Sequence, residues 1–194
     1  MPRQRLSKAD WVQAALDALA RGGVAAVRVD VLAKRLDITR GSFYWHFPDR
    51  DALLTAALEE WERTITTGII ERLEKVTSPQ ERLRAILELA YFTPESSNRV
   101  EPALAADAGH PIIAPALRRV TAARLRFLTE LYTDLGLDPA TARHRALTSY
   151  AAFIGWLQLR RTMPDLVPET TYAGTQAKPL LDDLEKMLAI GARA

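Results

Sequence analysis

The stretch Thr39-Arg40-Gly41-Ser42-Phe43-Tyr44-Trp45-His46-Phe47 decides how this chain reads. Thr39 is a capping residue type and Pro48 closes the segment, leaving room for a very short helix through His46. Phe43 and Phe47 are four apart, so both fall on one side and can anchor the helix to a core. Arg40, Ser42, Tyr44, Trp45 and His46 are left to face outward. One reading is a surface helix that is simply rich in aromatics. The other is a partner surface, because an exposed Tyr-Trp-His run beside an arginine is costly to leave in water. A DNA major groove fits that surface: Arg bonds guanine edges in bidentate fashion, Ser donates or accepts, and aromatic rings touch thymine methyls or the backbone.

The residues before this stretch supply two more short helices. Ser7 can cap the first, with Asp10 at the capping-box position. Val12, Ala15, Leu16 and Leu19 then recur at helical spacing, and Gly22-Gly23 stops the run. The second helix spans Val29 to Leu36, with Val31, Leu32 and Leu36 apolar. Three short helices, the last two joined by a tight turn, form a helix-turn-helix. Charge agrees with a polyanion partner for this head. Residues 1–47 carry eight bases (Arg3, Arg5, Lys8, Arg21, Arg28, Lys34, Arg35, Arg40) against four acids (Asp10, Asp17, Asp30, Asp37), while the remainder holds 18 bases and 20 acids. A solvated charged surface explains the same asymmetry equally well on charge alone.

Helical periodicity continues to the end of the chain. Asp49 caps a long helix with Leu54, Leu58, Trp61, Ile65, Ile69 and Leu73 down one side. Ser78-Pro79-Gln80-Glu81 starts another. Pro94, Pro102, Gly109 and Pro111 break residues 93–111 around a short helix near 100–108. A long helix follows from Ile112 to Leu135, ending at Gly136. Asp138-Pro139 opens a helix that runs to Met163, and a last one spans Pro179 to Ile190. The expected fold is all-α with about nine helices: residues 1–48 as a three-helix DNA-binding domain, and 49–194 as a helical body.

Composition narrows the chemistry. At 48% hydrophobic, the 194 residues can bury a real core, and the lack of Cys excludes disulfides, zinc-thiolate sites and thiol catalysis. No signal-type run and no stretch of roughly 18 apolar residues is present, so the expectation is a soluble, cytoplasmic protein with no membrane role. His46, His110 and His144 lack metal-ligand spacing, and neither a Gly-rich phosphate loop nor a nucleophile elbow occurs. No metal, cofactor or enzymatic activity is expected.

The run from Gly23 to Leu53 resembles the DNA-binding head of TetR/AcrR-type transcription regulators. It does so through Gly23, Val27, Val31, Ala33, Ile38-Thr39-x-Gly41-Ser42-Phe43-Tyr44-x-His46-Phe47 and Asp49-Arg50-Asp51-x-Leu53. The resemblance implies that Arg40, Ser42, Tyr44, Trp45 and His46 meet an operator. It also implies that Arg50, where the family usually has Lys, holds a phosphate. Lys8 and Arg28 are further phosphate candidates. Two positions depart from the family: Arg28 stands where Ser or Thr usually caps the second helix, and Asp37 where the turn usually has Gly. For the body the resemblance implies a small-molecule effector site and a homodimer through the last two helices. The whole would be a repressor released from a palindromic double-stranded DNA operator by a small, largely apolar or aromatic effector.

The body residues stand on their own chemistry. Trp61, Tyr91, Phe92, Phe127, Tyr150 and Phe153 can line an apolar effector cavity or be ordinary core. Trp61 shares its helix with Arg50, which would connect an effector to the head. Arg124 interrupts the apolar line Ile113, Leu117, Val120, Leu128, Leu131, Leu135 and therefore needs a partner, either Glu88 or an effector carboxylate. Tyr150, Phe153, Ile154 and Leu157 can pair with Leu180, Leu181, Leu184 and Leu188 across the last two helices, within one chain or in a four-helix dimer interface.

Overall fold

The computed structural model describes residues 7–92, 100–167, 177–189 and 191, and among them every regular element is helical. The helices are α1 (Lys8–Gly22), α2 (Val29–Arg35), α3 (Arg40–Phe43), α4 (Arg50–Glu62), α5 (Gly68–Leu73), α6 (Pro79–Phe92), α7 (Val100–Ala106), α8 (Ile113–Asp134), α9 (Pro139–Thr162) and α10 (Ala177–Ala189). The backbone passes from α4 to α5 through a π turn, Arg63–Thr67, so the two count as the one long helix expected after Asp49. The all-α reading with about nine helices holds. None of these helices is long and apolar enough to cross a membrane.

Local chemistry sets most of the boundaries. The Ser7 hydroxyl accepts from the Asp10 amide while Asp10 accepts from the Ser7 N–H at 2.6 Å, a complete capping box. Asp49 caps α4 through the Ala52 amide at 2.8 Å. Asp138 caps α9 through Ala140 and Thr141, with Pro139 at the first helical position. Gly23 and Gly136 leave α1 and α8 with positive φ.

Other expectations need correcting. The α1 face that packs inward is Trp11, Ala14, Ala15, Ala18 and Leu19, with Val12 and Leu16 only partly covered. Val31 on α2 points to solvent, and Ala33 takes the buried place beside Leu32. The third helix ends at Phe43, and residues 44–46 continue as a turn closed by the Phe47 amide on Phe43 O at 3.0 Å. The π turn shifts the phase of the long helix, so Thr66 is buried while Ile65 and Ile69 are only partly so.

Packing divides the chain into two units, each assembled from two stretches: residues 1–65 with 99–120, and residues 66–98 with 121–194. In the first, α1 lies against both α4 and α7, and one core joins Trp11, Phe43, Phe47, Leu54, Trp61, Leu104 and Ile113 without a break at residue 48. Arg119 and Glu62 form an ion pair at 2.8 Å within it. In the second, Leu83, Leu87, Tyr91, Phe92, Phe127, Leu131 and Tyr132 make the core. There α10 packs on α6, with Leu181 and Leu188 buried and Arg84 held by Asp182 and Glu185. Those leucines therefore belong to the core of their own unit.

Candidate nucleic-acid interface

The turn between α2 and α3 explains how the short helix is presented. Asp37 adopts φ 54°, the left-handed conformation, and the Ile38 amide returns to Ala33 O at 3.0 Å. Aspartate enters this region more readily than most side chains, so it serves where the family usually has Gly. Behind α3, Phe43 stacks on Phe47 at 5.7 Å and meets the edge of Trp11 at 5.2 Å, with Phe43 and Trp11 fully buried. Three rings therefore fix the inner face of a helix far too short to persist alone.

The outer face carries the residues named from sequence. Trp45 is 87% exposed and Tyr44 55% exposed, and Arg40 is open to solvent, its guanidinium 3.4 Å from the Tyr44 hydroxyl. Ser42 and His46 are half-buried. Ser42 donates its hydroxyl to Thr39 O at 2.8 Å, whereas the Thr39 side chain makes no cap bond, so the α3 start is held by serine rather than by the expected threonine cap. A serine hydroxyl so engaged still offers its lone pairs.

The three phosphate candidates sit in different environments. Lys8 lies exposed at the start of α1 with its ammonium 5.2 Å above the Phe47 ring. Arg28 occupies the N-cap of α2 without capping it, and its exposed guanidinium reaches Asp30 at 3.1 Å. Arg50 is half-buried and turned onto the backbone. It donates from Nε to Val27 O at 2.7 Å and from Nη2 to Val24 O at 2.6 Å, and its Nη1 lies 3.4 Å from Asp51. Val24, in the turn between α1 and α2, also donates its amide to Asp107 at 2.7 Å. Sequence spacing gives no signal for the Arg50 or Asp107 contacts, which join residues 26 and 83 positions from Val24.

The effector candidates separate. Trp61 is buried in the core of the first unit; the other six belong to the second. Tyr91, Phe92 and Phe127 are buried, while Tyr150 and Phe153 are half-buried. Phe153 lies 6.4 Å from Tyr91 and 6.3 Å from Tyr150, and Trp156 joins the group 5.5 Å from Tyr91. The buried Trp156 indole N–H has no acceptor among the described residues. Arg124 spreads its guanidinium over Tyr150 and Phe153 at 5.9 and 5.8 Å and donates to Thr66 at 3.1 Å, whereas Glu88 pairs with Arg84. Burial, with a smaller push from Tyr132, raises the Tyr91 hydroxyl to about 12, so that ring stays neutral. Among the described residues, no three His, Cys, Asp or Glu side chains gather as a metal site.

Residues 12–57 match the family model described as bacterial regulatory proteins, tetR family. The HTH-type transcriptional regulator BetI of Paraburkholderia xenovorans is 25% identical over 185 residues, spanning 92% of this chain and 93% of that protein. A crystal structure of a transcriptional regulator from Rhodococcus superposes with a TM-score of 0.78 at 23% identity, covering 97% of this chain and 99% of its own. A regulator from Saccharomonospora viridis, solved in complex with choline, superposes with a TM-score of 0.67 at 18% identity, covering 93% and 92%. These two likenesses establish the shared fold.

Proposed function

From the premise that this chain belongs to the TetR family of bacterial transcription regulators, we propose that it is a dimeric repressor whose α3 enters the major groove of a palindromic operator and whose body releases that operator on binding a small effector. The observation that carries this reading is the exposure of Tyr44 and Trp45 in the same short segment as the buried Phe43 and Phe47. Water-exposed aromatic area on a rigidly backed helix suits a surface that a partner covers.

The roles divide at residue 48. Residues 1–48 read DNA: Arg40, Tyr44 and Trp45 at base edges, with Ser42 and His46 beside them, and Lys8 and Arg28 at phosphates. Arg50 serves this surface from within, by bracing the carbonyls of Val24 and Val27. Residues 49–194 bind the effector and dimerise. Leu147 and Leu159 on α9 and Met187 on α10 remain exposed, and they extend the dimer face expected on the last two helices. Two heads related by a two-fold axis then address half-sites about one DNA turn apart, or a multiple of it. The effector contributes its differential affinity for the two states, typically about 1–3 kcal/mol.

The effector site is assigned to the rings Tyr91, Phe92, Phe127, Tyr150 and Phe153 with Arg124, all of the second unit. An apolar or aromatic effector suits these rings. A second reading is an organic cation on these rings, because the Saccharomonospora viridis regulator was solved with choline; Arg124 would then have to leave the faces of Tyr150 and Phe153 to admit it.

The test is selection of bound duplexes from random genomic fragments, followed by mobility shift. An enriched palindrome is expected, and the variant with Arg40→Ala and Tyr44→Ala should lose it while staying folded. Unchanged affinity in that variant would remove the recognition role from α3. Release of the selected duplex by choline, but not by neutral aromatic compounds, would decide for the cationic effector.

A further inference from the structure

The turn joining α1 to α2 is gripped from both sides by side chains remote in sequence. The Val24 N–H opens a single turn of 3-10 helix, Val24–Ala26, where the helix itself supplies no acceptor. Asp107, just past the end of α7, accepts a hydrogen bond from that N–H at 2.7 Å. Arg50, the first residue of α4, donates to the carbonyl of the same Val24 at 2.6 Å and to Val27 O at 2.7 Å. Val24 and Val27 are themselves buried. There is no room for a side chain beside this arrangement: Gly23 has φ +62°, and a Cβ built on it would lie 2.4 Å from Asp107 Oδ2. Directly after the turn comes Arg28, the N-cap of α2, and α2 packs on α3.

We propose that Asp107 is a positioning residue for DNA recognition, acting through Val24 to fix the turn on which α2 and α3 are oriented. It lies well beyond the segment 12–57 that carries the family's DNA-binding pattern. The proposal rests on the reading of α3 as the DNA-contacting helix. It makes α7 a structural part of the reading head, so that a displacement of α7 is felt at Val24.

The test uses the full-length protein, the duplex that the wild type selects, and a random duplex of equal length. Asp107→Ala leaves a buried amide without its acceptor. It should weaken binding to the selected duplex about tenfold, leave the random duplex within about twofold, and speed amide exchange across residues 23–28. Asp107→Asn, whose side-chain oxygen can accept the same bond, should restore most of both. Gly23→Ala should be less harmful in the Asp107→Ala background than in the wild type, because the clashing carboxylate is gone. If Asp107→Ala does not fold, Asp107→Glu decides: it keeps the charge and lengthens the arm, and a loss confined to the selected duplex supports the role. A folded Asp107→Ala or Asp107→Glu with wild-type affinity and exchange overturns it. A wild type that distinguishes no duplex overturns instead the reading of α3, a separate result.

Discussion

Two sets of aromatic rings in this chain meet opposite fates. In the turn that continues α3, Tyr44 and Trp45 stand in solvent; in the second unit Tyr91, Phe92 and Phe127 are buried, with Tyr150 and Phe153 half-covered around Arg124. The residue types are alike, so composition does not distinguish the sets. The difference lies in what backs them. Tyr44 meets the buried Phe43 edge-on at 5.2 Å, Phe43 stacks on Phe47, and the helix is too short to hide both faces. Apolar area left in water forgoes about 25 cal/mol per Å² until something covers it. The first set thus reads as a surface for a partner, and the second as an interior that is either core or effector lining.

The sharpest way to break this contrast is to truncate one ring on each face of α3. Phe43→Ala removes a fully buried ring stacked on Phe47 and edge-on to Trp11, and should cost about 3–5 kcal/mol in urea unfolding. Trp45→Ala should change stability by no more than about 0.5 kcal/mol and yet weaken operator binding by about 1–3 kcal/mol. A Trp45→Ala protein that loses stability, or that binds the operator as the wild type does, would show that the exposed ring is not a recognition surface.

The buried set makes a complementary prediction at high pH. The Tyr91 hydroxyl is raised from 10.0 to about 12, chiefly by burial. Between those two values the folded protein keeps a proton that the unfolded chain has released, so stability is present below pH 10 and lost as pH rises toward 12. The loss amounts to roughly 3 kcal/mol at about 1.4 kcal/mol per unit. Tyr132 is raised by burial in the same direction, opposed by its hydrogen bond to Ser149, so Tyr91→Phe should remove most of the alkaline loss but not all. Thermal melts from pH 9 to 12 check this. A Tyr91→Phe protein with the wild-type profile would mean that the ring is reached by water, as an open effector pocket allows.

What the sequence made legible follows the same division. Caps are local chemistry, so Ser7, Asp49 and Asp138 could be read directly. So could the inward pair Phe43 and Phe47, because the residues beside them leave few alternatives. On α1, however, Val12 with Leu16 and Trp11 with Ala15 are both acceptable helical stripes, and only the neighbours α4 and α7 select the second. Arg50 looks like a free cation until the folded turn brings the Val24 and Val27 carbonyls to it. Leu181 and Leu188 share one core with α6 and with Ala142 and Ala146 of α9, where Arg84 matches Asp182 and Glu185 on α10 and Arg145 of α9 donates to Leu188 O. Periodicity identifies an apolar face, while its partner depends on the rest of the fold.

The smallest effect asks whether the exposed head gives up local stability for its surface. Arg28 holds the N-cap of α2 in extended backbone, φ −118° and ψ 121°, without a side-chain cap bond. Serine fits that conformation and can accept the amide of Asp30 or Val31, a gain of about 1 kcal/mol. The Arg28–Asp30 pair that would be lost is well exposed and contributes little. Arg28→Ser should therefore raise the melting temperature by about 2–4 °C. If Arg28 meets a phosphate, the same change should flatten the salt dependence of operator binding by about one counterion, uniformly across sequences. A more stable protein with an unaltered salt slope would make Arg28 a solvated cation. A loss confined to one base position would instead make it a reader of sequence, extending the recognition surface from α3 to the start of α2.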